Sequence, residues 1–350
     1  MNIKVALTKR PDASFPKNLD LFQIFYTAPP DDQKLRPDEV IVQNRFISID
    51  AAMRVWISGA KTYMEPVQIG DVMVAFCVGV VVASKSPKFA VGDWASGLLG
   101  WQSYSAMHDS RLQKLPKNYP NPQHFLGVLG ISGLTAYMGL KEIGQVKSGE
   151  TLVVSAAAGA VGELVIGLGK VWGARVIGIA GTDEKCKYVK EVLGADDCID
   201  YKKEDVAKGL KRLCPNGVDV YFDNVGGEIL DIVLSLIKDY ARIVCCGAIS
   251  GYNTTPGENY RLRNYPRLII KRAKMQGFIY FDYKDKIPVA VKDLMDLVSS
   301  GKLKFREDFV DGLDSAPLAL QKLLTGGNIG KVMVRVKHDQ ENIYQQNAKL

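Results

Sequence analysis

The stretch TLVVSAAAGAVGELVIGLGKVWGARVIGIAGTDEK, residues 151–185, decides how the rest of the chain is read. It opens with Thr151–Ser155, a short apolar run of the kind that forms a buried strand. Ala156, Gly159 and Gly162 follow at A-x-x-G-x-x-G spacing. Small residues there let the backbone approach a pyrophosphate, and a helix starting just beyond turns its amide groups and positive dipole end toward that anion. Val161, Leu164, Val165, Leu168 and Trp172 recur at helical spacing and predict one apolar face lying on a sheet. Arg175–Ala180 reads as a second strand. A glycine triplet alone is weak, but one set between strand and helix in a β–α–β unit predicts a dinucleotide site. The bland alternative is a tight turn that binds nothing.

The tip of the second strand chooses the cofactor. A site for NAD carries an acid there to accept from the ribose 2′-hydroxyl. This strand runs into Ala180, Gly181 and Thr182, with no acid at the tip, and Lys185 follows where it can meet a 2′-phosphate. Asp183 and Glu184 suit the first turn of the next helix, where acids are favoured. The expected cofactor is NADPH.

Further strands are expected over 198–201, Val218–Asp223, 242–248 and 275–280. Ligands of open α/β sheets bind beyond the carboxyl ends of strands. Asn224, the segment 247–252 and Phe278 to Tyr280 therefore point to the crevice of the Gly-rich turn. Helices are expected over 126–143, interrupted by Gly130 and Gly133, and over 284–300, closed by Gly301. The stretch 267–274 reads as an amphipathic helix with a solvated face. Before residue 125 the chain is β-rich, with strands over Glu39–Ser48, over 72–84 and around Trp94, and a short helix opening over 50–54. Met53 and Trp56 read as core rather than pocket lining, and Arg54 as a structural ion-pair partner rather than a ligand of a substrate carboxylate. A strand over 331–336 is expected to rejoin the first domain, followed by a polar tail. The expected division is 1–125 as a β-rich catalytic domain, 126–300 as the nucleotide-binding domain, and 301–350 as the return and tail.

The totals narrow the partners. The 350 residues carry a net charge of +7, which suits polyanionic ligands in general. No basic module or long Lys/Arg block is present, so nucleic acid is not expected. The N-terminus has no signal-peptide apolar segment, and the longest apolar stretch, 72–83, is too short to span a bilayer, so no membrane role is expected. The six cysteines (Cys77, Cys186, Cys198, Cys214, Cys245 and Cys246) have no framework spacing, which predicts a reduced, cytoplasmic protein. Cys245 and Cys246 are adjacent on an expected strand, point to opposite faces, and read as packing rather than a redox pair.

Several motifs in order resemble the medium-chain dehydrogenase/reductase superfamily: SIDAAMR (48–54), GLTAY (133–137), AAAGAVG (156–162), GTDEK (181–185), DNVGG (223–227), CGAISGY (246–252) and GNIGK (327–331). They look most like its zinc-independent branch of prostaglandin reductases, plant double-bond reductases and bacterial curcumin reductases. The resemblance covers nearly the whole chain. It implies a Rossmann doubly wound parallel sheet domain beside a β-rich GroES-like catalytic domain made from both chain ends. It also implies NADPH, a homodimer, and reduction of the carbon–carbon double bond of enones and enals.

Carried over residue by residue, Gly159, Ala160, Val161 and Gly162 would hold the pyrophosphate, and Lys185 and Tyr201 the 2′-phosphate. Asn224, the loop of Cys246, Gly247, Ala248, Ile249, Ser250 and Tyr252, then Phe278, Ile279, Tyr280 and Asn328 would line the remainder. The loop 252–266 departs from the more Pro-rich loop of the prostaglandin reductases and is placed to cover the substrate. The superfamily's zinc enzymes bind a catalytic metal through Cys, His and an acid. Between Gly70 and Gly79 there is neither His nor Glu, and His108, His124 and His338 have no cysteine at ligand spacing. No metal is expected.

In the implied reaction, hydride attacks the β-carbon and charge develops on the carbonyl oxygen, which needs a donor. Tyr252, after a strand end that faces the crevice, is the first candidate; its bland reading is an ordinary loop tyrosine. Tyr63 is the second, by its match to a tyrosine of the curcumin-reductase branch. A ribose hydroxyl or water is the remaining alternative. Two other functions stay open: a quinone reductase of the same superfamily, and a non-catalytic NADPH-binding scaffold. The sixth strand, at a sheet edge, is where a second copy would pair.

Overall fold

The computed structural model describes residues 1–12, 15–254 and 258–338. They fall into two compact units. One comprises Met1–Leu126, Asp308–Gly327 and the chain from Val332; the other comprises Gly127–Glu307 and Asn328–Lys331.

The second unit carries a six-stranded sheet: β1 (Thr151–Ser155), β2 (Arg175–Ala180), β3 (Asp197–Asp200), β4 (Val218–Asp223), β5 (Ile237–Cys245) and β6 (Lys274–Gly277). Its order is β3-β2-β1-β4-β5-β6, parallel throughout. This is the doubly wound order that reverses between strands one and four, where such sheets bind dinucleotides. The helices are α1 (Ile131–Met138), α2 (Gly162–Val171), α3 (Asp183–Lys187), α4 (Val206–Leu213), α5 (Gly227–Leu234) and α6 (Ile287–Ser299). Strands β1, β2 and β4 are apolar runs because both faces are covered. Val153, Ile177, Ile199 and Tyr221 pack with Leu210, Leu230 and Val233 in one core cluster.

Several expected elements end differently. Helix α2 is not amphipathic: it is buried continuously from Gly162 to Gly169, with Val161 and Trp172 as its caps. A side chain at Gly169 would meet Leu152 and Val176 of the sheet, and one at Gly167 would meet Leu303 on another side. A helix enclosed on several sides carries no single apolar stripe. The helix expected over 126–143 is a short 3₁₀ segment (Pro122–Leu126), then α1, then a wide π-helical turn over Gly139–Gly144. Strand β5 starts earlier than expected and stops at Cys245, which leaves Cys246 to Ala248 in the following loop. Strand β6 ends at Gly277, and 267–274 holds only the single helical turn Arg267–Ile270 with no buried face. Helix α6 begins at Ile287, where Pro288 suits the first turn; the preceding Tyr280–Lys286 is 3₁₀.

The first unit is β-rich. Its sheet runs Glu307–Asp311, Lys331–Arg335, Glu39–Ser48, Phe76–Ser84, Trp94–Leu98, Leu112–Lys114, with Tyr104–His108 also paired to Glu39–Ser48. The strand expected over 72–84 begins only at Phe76. The hairpin of Asn2–Leu7 and Phe22–Thr27 was not anticipated. Met53 and Trp56 sit in the core of this unit, and the Arg54 guanidinium lies over the Phe15 ring at 5.6 Å.

Candidate active site

In the second unit, β1 ends at Ser155 and the chain turns through Ala156 in a left-handed conformation (φ 47°). The Gly159 N–H donates to the Ala156 carbonyl at 2.9 Å, and α2 begins at Gly162. A Cβ on Gly162 would lie 2.3 Å from that same carbonyl oxygen. Only glycine fits there, and this close approach sets the helix start at the end of the strand. Gly159, Ala160 and Val161 remain half-buried at the rim of the turn.

The late segment Asn328–Lys331 belongs to this unit. Gly330 donates its N–H to the Ala158 carbonyl at 2.8 Å and forms a parallel bridge with Gly159. Buried Asn328 donates its side-chain amide to the Gly330 carbonyl at 2.9 Å, so it stands beside the turn.

At the tip of β2, Thr182 caps α3 by accepting from the Lys185 N–H at 3.2 Å. Tyr201 bonds its N–H to the Ala180 carbonyl. Its ring lies over Gly181, where a Cβ would meet it at 2.7 Å. Burial first, and then the nearby Lys202 ammonium, hold the Lys185 amine below its ordinary value, while Glu184 opposes them. Asp183 lies in the first turn of α3 and pairs with Lys203. The tip thus presents an aromatic ring and two neighbouring ammonium groups, an arrangement that favours an anion.

Strand β4 ends alongside β1. The Asn224 N–H donates to Ser155 Oγ at 2.9 Å, and the Asn224 side-chain amide to the Ser155 carbonyl at 2.8 Å. Oδ1 of buried Asp223 accepts from the Tyr221 hydroxyl, Ser155 Oγ and the Val225 and Gly226 N–H groups. Desolvation raises its pKa, and these bonds oppose that. The Asp223 carbonyl accepts from both Cys246 and Gly247 N–H groups, and Val225 accepts from the Ser250 N–H and hydroxyl. The loop Cys246 to Tyr252 is thereby folded onto the turn after β4. Burial pushes the Cys246 thiol up to about 12. The Tyr252 hydroxyl comes back over this loop and accepts from the Ala248 N–H at 3.4 Å. Ile249 opens a short 3₁₀ turn between them.

The remaining expected residues differ in setting. The Phe278 ring packs edge-on to Phe222 at 6.4 Å and contacts the position where a Gly139 side chain would be. Ile279 precedes the 3₁₀ segment that Tyr280 begins, and Tyr280 stacks near Phe281 at 4.2 Å. Tyr63 belongs to the first unit, where its exposed hydroxyl accepts from buried Trp56 Nε1 at 3.4 Å. Of the loop 252–266, residues 255–257 lie outside the described residues. Its distal part is tied to α5: Asp231 accepts from the Arg263 and Asn264 N–H groups at 2.8 Å and from Tyr260.

Sequence reading missed Ser155, Thr182, Lys202 and Glu163. Ser155 and Thr182 were signalled by their place at strand end and helix start, a preferred capping position in the second case. Glu163 gave no local signal. It is buried in the first turn of α2, accepts from the Tyr188 hydroxyl at 2.8 Å and the Arg306 N–H at 3.1 Å, and burial pushes its carboxyl up to about 8. Among the described residues, no group of three or more His, Cys, Asp or Glu is placed to hold a metal ion.

Residues 4–115 match the family described as N-terminal domain of oxidoreductase, and residues 160–300 the family described as zinc-binding dehydrogenase. The chain is 42% identical over 343 residues to the NADPH-dependent curcumin reductase of Escherichia coli (strain K12), covering 97% of this chain and 98% of that protein. It is 40% identical over 305 residues to the 2-alkenal reductase (NADP(+)-dependent) of Nicotiana tabacum, covering 86% and 88%. The crystal structure of CurA in complex with NADPH from Vibrio vulnificus superposes with a TM-score of 0.90 at 42% identity, covering 96% of this chain and 99% of that one.

Proposed function

The chain belongs to the zinc-independent branch of the medium-chain dehydrogenase/reductase superfamily, and from that membership we propose the following reading of its site. The protein is an NADPH-dependent reductase of the carbon–carbon double bond of α,β-unsaturated aldehydes and ketones. The tip of β2 carries the reading of the cofactor. Lys185 feels the nearby Lys202 ammonium, the Tyr201 ring lies over Gly181, and Asp183 is engaged by Lys203. That set fits a 2′-phosphate and lacks the acid that a 2′-hydroxyl would need.

In this reading Gly159, Ala160, Val161 and Gly162 face the pyrophosphate, the first three half-buried at the rim of the turn and Gly162 opening the helix behind it. Asn224, held by two bonds to Ser155, the loop Cys246 to Tyr252, and Asn328 border the remainder of the cofactor. Bound NADPH supplies hydride to the substrate β-carbon. We assign Tyr252 the donor role toward the substrate carbonyl oxygen. Accepting the Ala248 N–H polarises its O–H and strengthens it as a donor. Tyr63 is the second donor candidate.

A second copy of this chain is the partner proposed for the β6 edge. All four residues of Lys274–Gly277 are exposed, and Ile269 (77%) and Ile270 (57%) just before them expose apolar side chains. An uncovered edge strand invites pairing. The cytoplasm is the proposed location. All six cysteines are thiols, and among the described residues no helix is long and apolar enough to cross a membrane.

The test is NADPH oxidation with a 2-alkenal, an aryl enone, a dienone and a quinone, followed by product mass. A product heavier by two hydrogens with its carbonyl intact is expected from the first three. Turnover of the quinone alone would overturn the assignment.

A further inference from the structure

Cys186 and Cys198 are twelve residues apart in the chain, yet their sulfurs lie 3.1 Å apart. Cys186 is on α3, half-buried; Cys198 is on β3, buried behind it. Both are thiols. No other group separates them, and Cys198 donates its S–H to the Cys186 sulfur. That donation favours thiolate on Cys186, the more exposed of the two, while the same bond and then burial raise Cys198. The charges around them are mixed: Lys190 pairs with Asp197 at 3.4 Å, and Asp183 and Asp200 also face Cys186.

The pair lies next to the tip of β2. Cys186 directly follows Lys185, and Cys198 precedes Tyr201 by three positions. A disulfide needs its sulfurs at about 2.05 Å. Closing the remaining distance, about 1 Å, draws the first turn of α3 against β3 and carries Lys185 with it.

We propose that Cys186 and Cys198 form a peroxide-oxidisable dithiol whose disulfide lowers affinity for the 2′-phosphate of the cofactor. This rests on the placement of that phosphate given above. In the first step Cys186 thiolate attacks a hydroperoxide oxygen. The O–O bond breaks, sulfur loses two electrons and becomes sulfenic acid, and the peroxide is reduced to water or an alcohol. In the second step the Cys198 sulfur attacks the sulfenic sulfur. The S–S bond forms, the S–O bond breaks, and hydroxide leaves as water with the Cys198 proton. A dithiol reductant reverses the change.

The experiment uses the full chain treated with hydrogen peroxide, with a dithiothreitol-reversed portion as reference. Intact mass should fall by two hydrogens, and peptide mapping should join the peptides holding Cys186 and Cys198. NADPH affinity should weaken about tenfold, as expected for displacing one charge-assisted bond, with NADH affinity changed less than twofold. Cys186→Ser, at a half-buried position outside the cofactor site, should abolish both changes, and Cys198→Ser should do the same. Survival of both thiols, a bond between other cysteines, or a disulfide that leaves NADPH affinity unchanged would each overturn the proposal. Lys185→Ala in the reduced protein separates the two readings. Loss of affinity for both cofactors alike refutes the phosphate placement, whereas the dithiol is judged on mass and on its own affinity change.

Discussion

In the proposed reading, Lys185 is the residue on which cofactor choice turns. Its amine feels the nearby Lys202 ammonium, and a phosphate bound there would make charge-assisted bonds worth about 1.5–3 kcal/mol. Lys185→Ala should therefore weaken NADPH binding roughly ten- to a hundredfold and leave NADH binding almost unchanged, as a fluorescence titration of both would read. Tyr252→Phe keeps the ring and removes the O–H. If the hydroxyl supports charge on the substrate oxygen, kcat should fall about a hundredfold while NADPH affinity stays level; an unaltered kcat transfers the role to Tyr63 or to water. Glu163 bears on stability. Its carboxyl, near 4.5 ordinarily, is pushed up to about 8 in the fold. Its contribution is complete below the unfolded value and is lost as pH rises through the folded one. Chemical denaturation should show stability falling between pH ~5 and ~8 by up to about 1.4 kcal/mol per unit, and Glu163→Gln should flatten that slope.

At the level of elements, the unit β1–turn–α2–β2 was legible because all its signals are local: an apolar run, small residues at fixed spacing, and a second run. Its least tolerant point is Gly162, where a Cβ meets backbone 2.3 Å away rather than a side chain that can turn aside. Gly162→Ala should cost about 3 kcal/mol in urea denaturation, at the upper end for overpacking, and should impair binding of both nicotinamide cofactors. What escaped reading was whatever depends on distant parts of the chain. Phe278 was expected at the strand end but follows it and packs on Phe222, because β6 stops at Gly277. Helix α2 concealed its burial because glycines stand where neighbours approach from different sides. Asn328 entered only through resemblance, since no spacing links it to Gly159. The six cysteines read as scattered, and only the packing of α3 on β3 brings Cys186 to Cys198.

At the scale of the whole molecule, the uncovered β6 edge predicts self-association. Light scattering behind size exclusion should give a mass near twice 38.5 kDa. Met275→Lys together with Ile269→Lys should shift it to the monomer with the chain still folded, because charges on an edge oppose strand pairing. A monomeric wild-type protein would exclude this interface. The bridge between Gly330 and Gly159 has a different kind of consequence. The unit proposed to receive NADPH is discontinuous: its turn is cross-linked by Asn328–Lys331, which follow Asp308–Gly327 of the other unit. During translation the turn therefore stays without this cross-link until the ribosome has passed Lys331, when the other unit still awaits its segment from Val332. Neither can be excised as one uninterrupted gene fragment, and in a nascent chain the cofactor unit is complete one strand before the other.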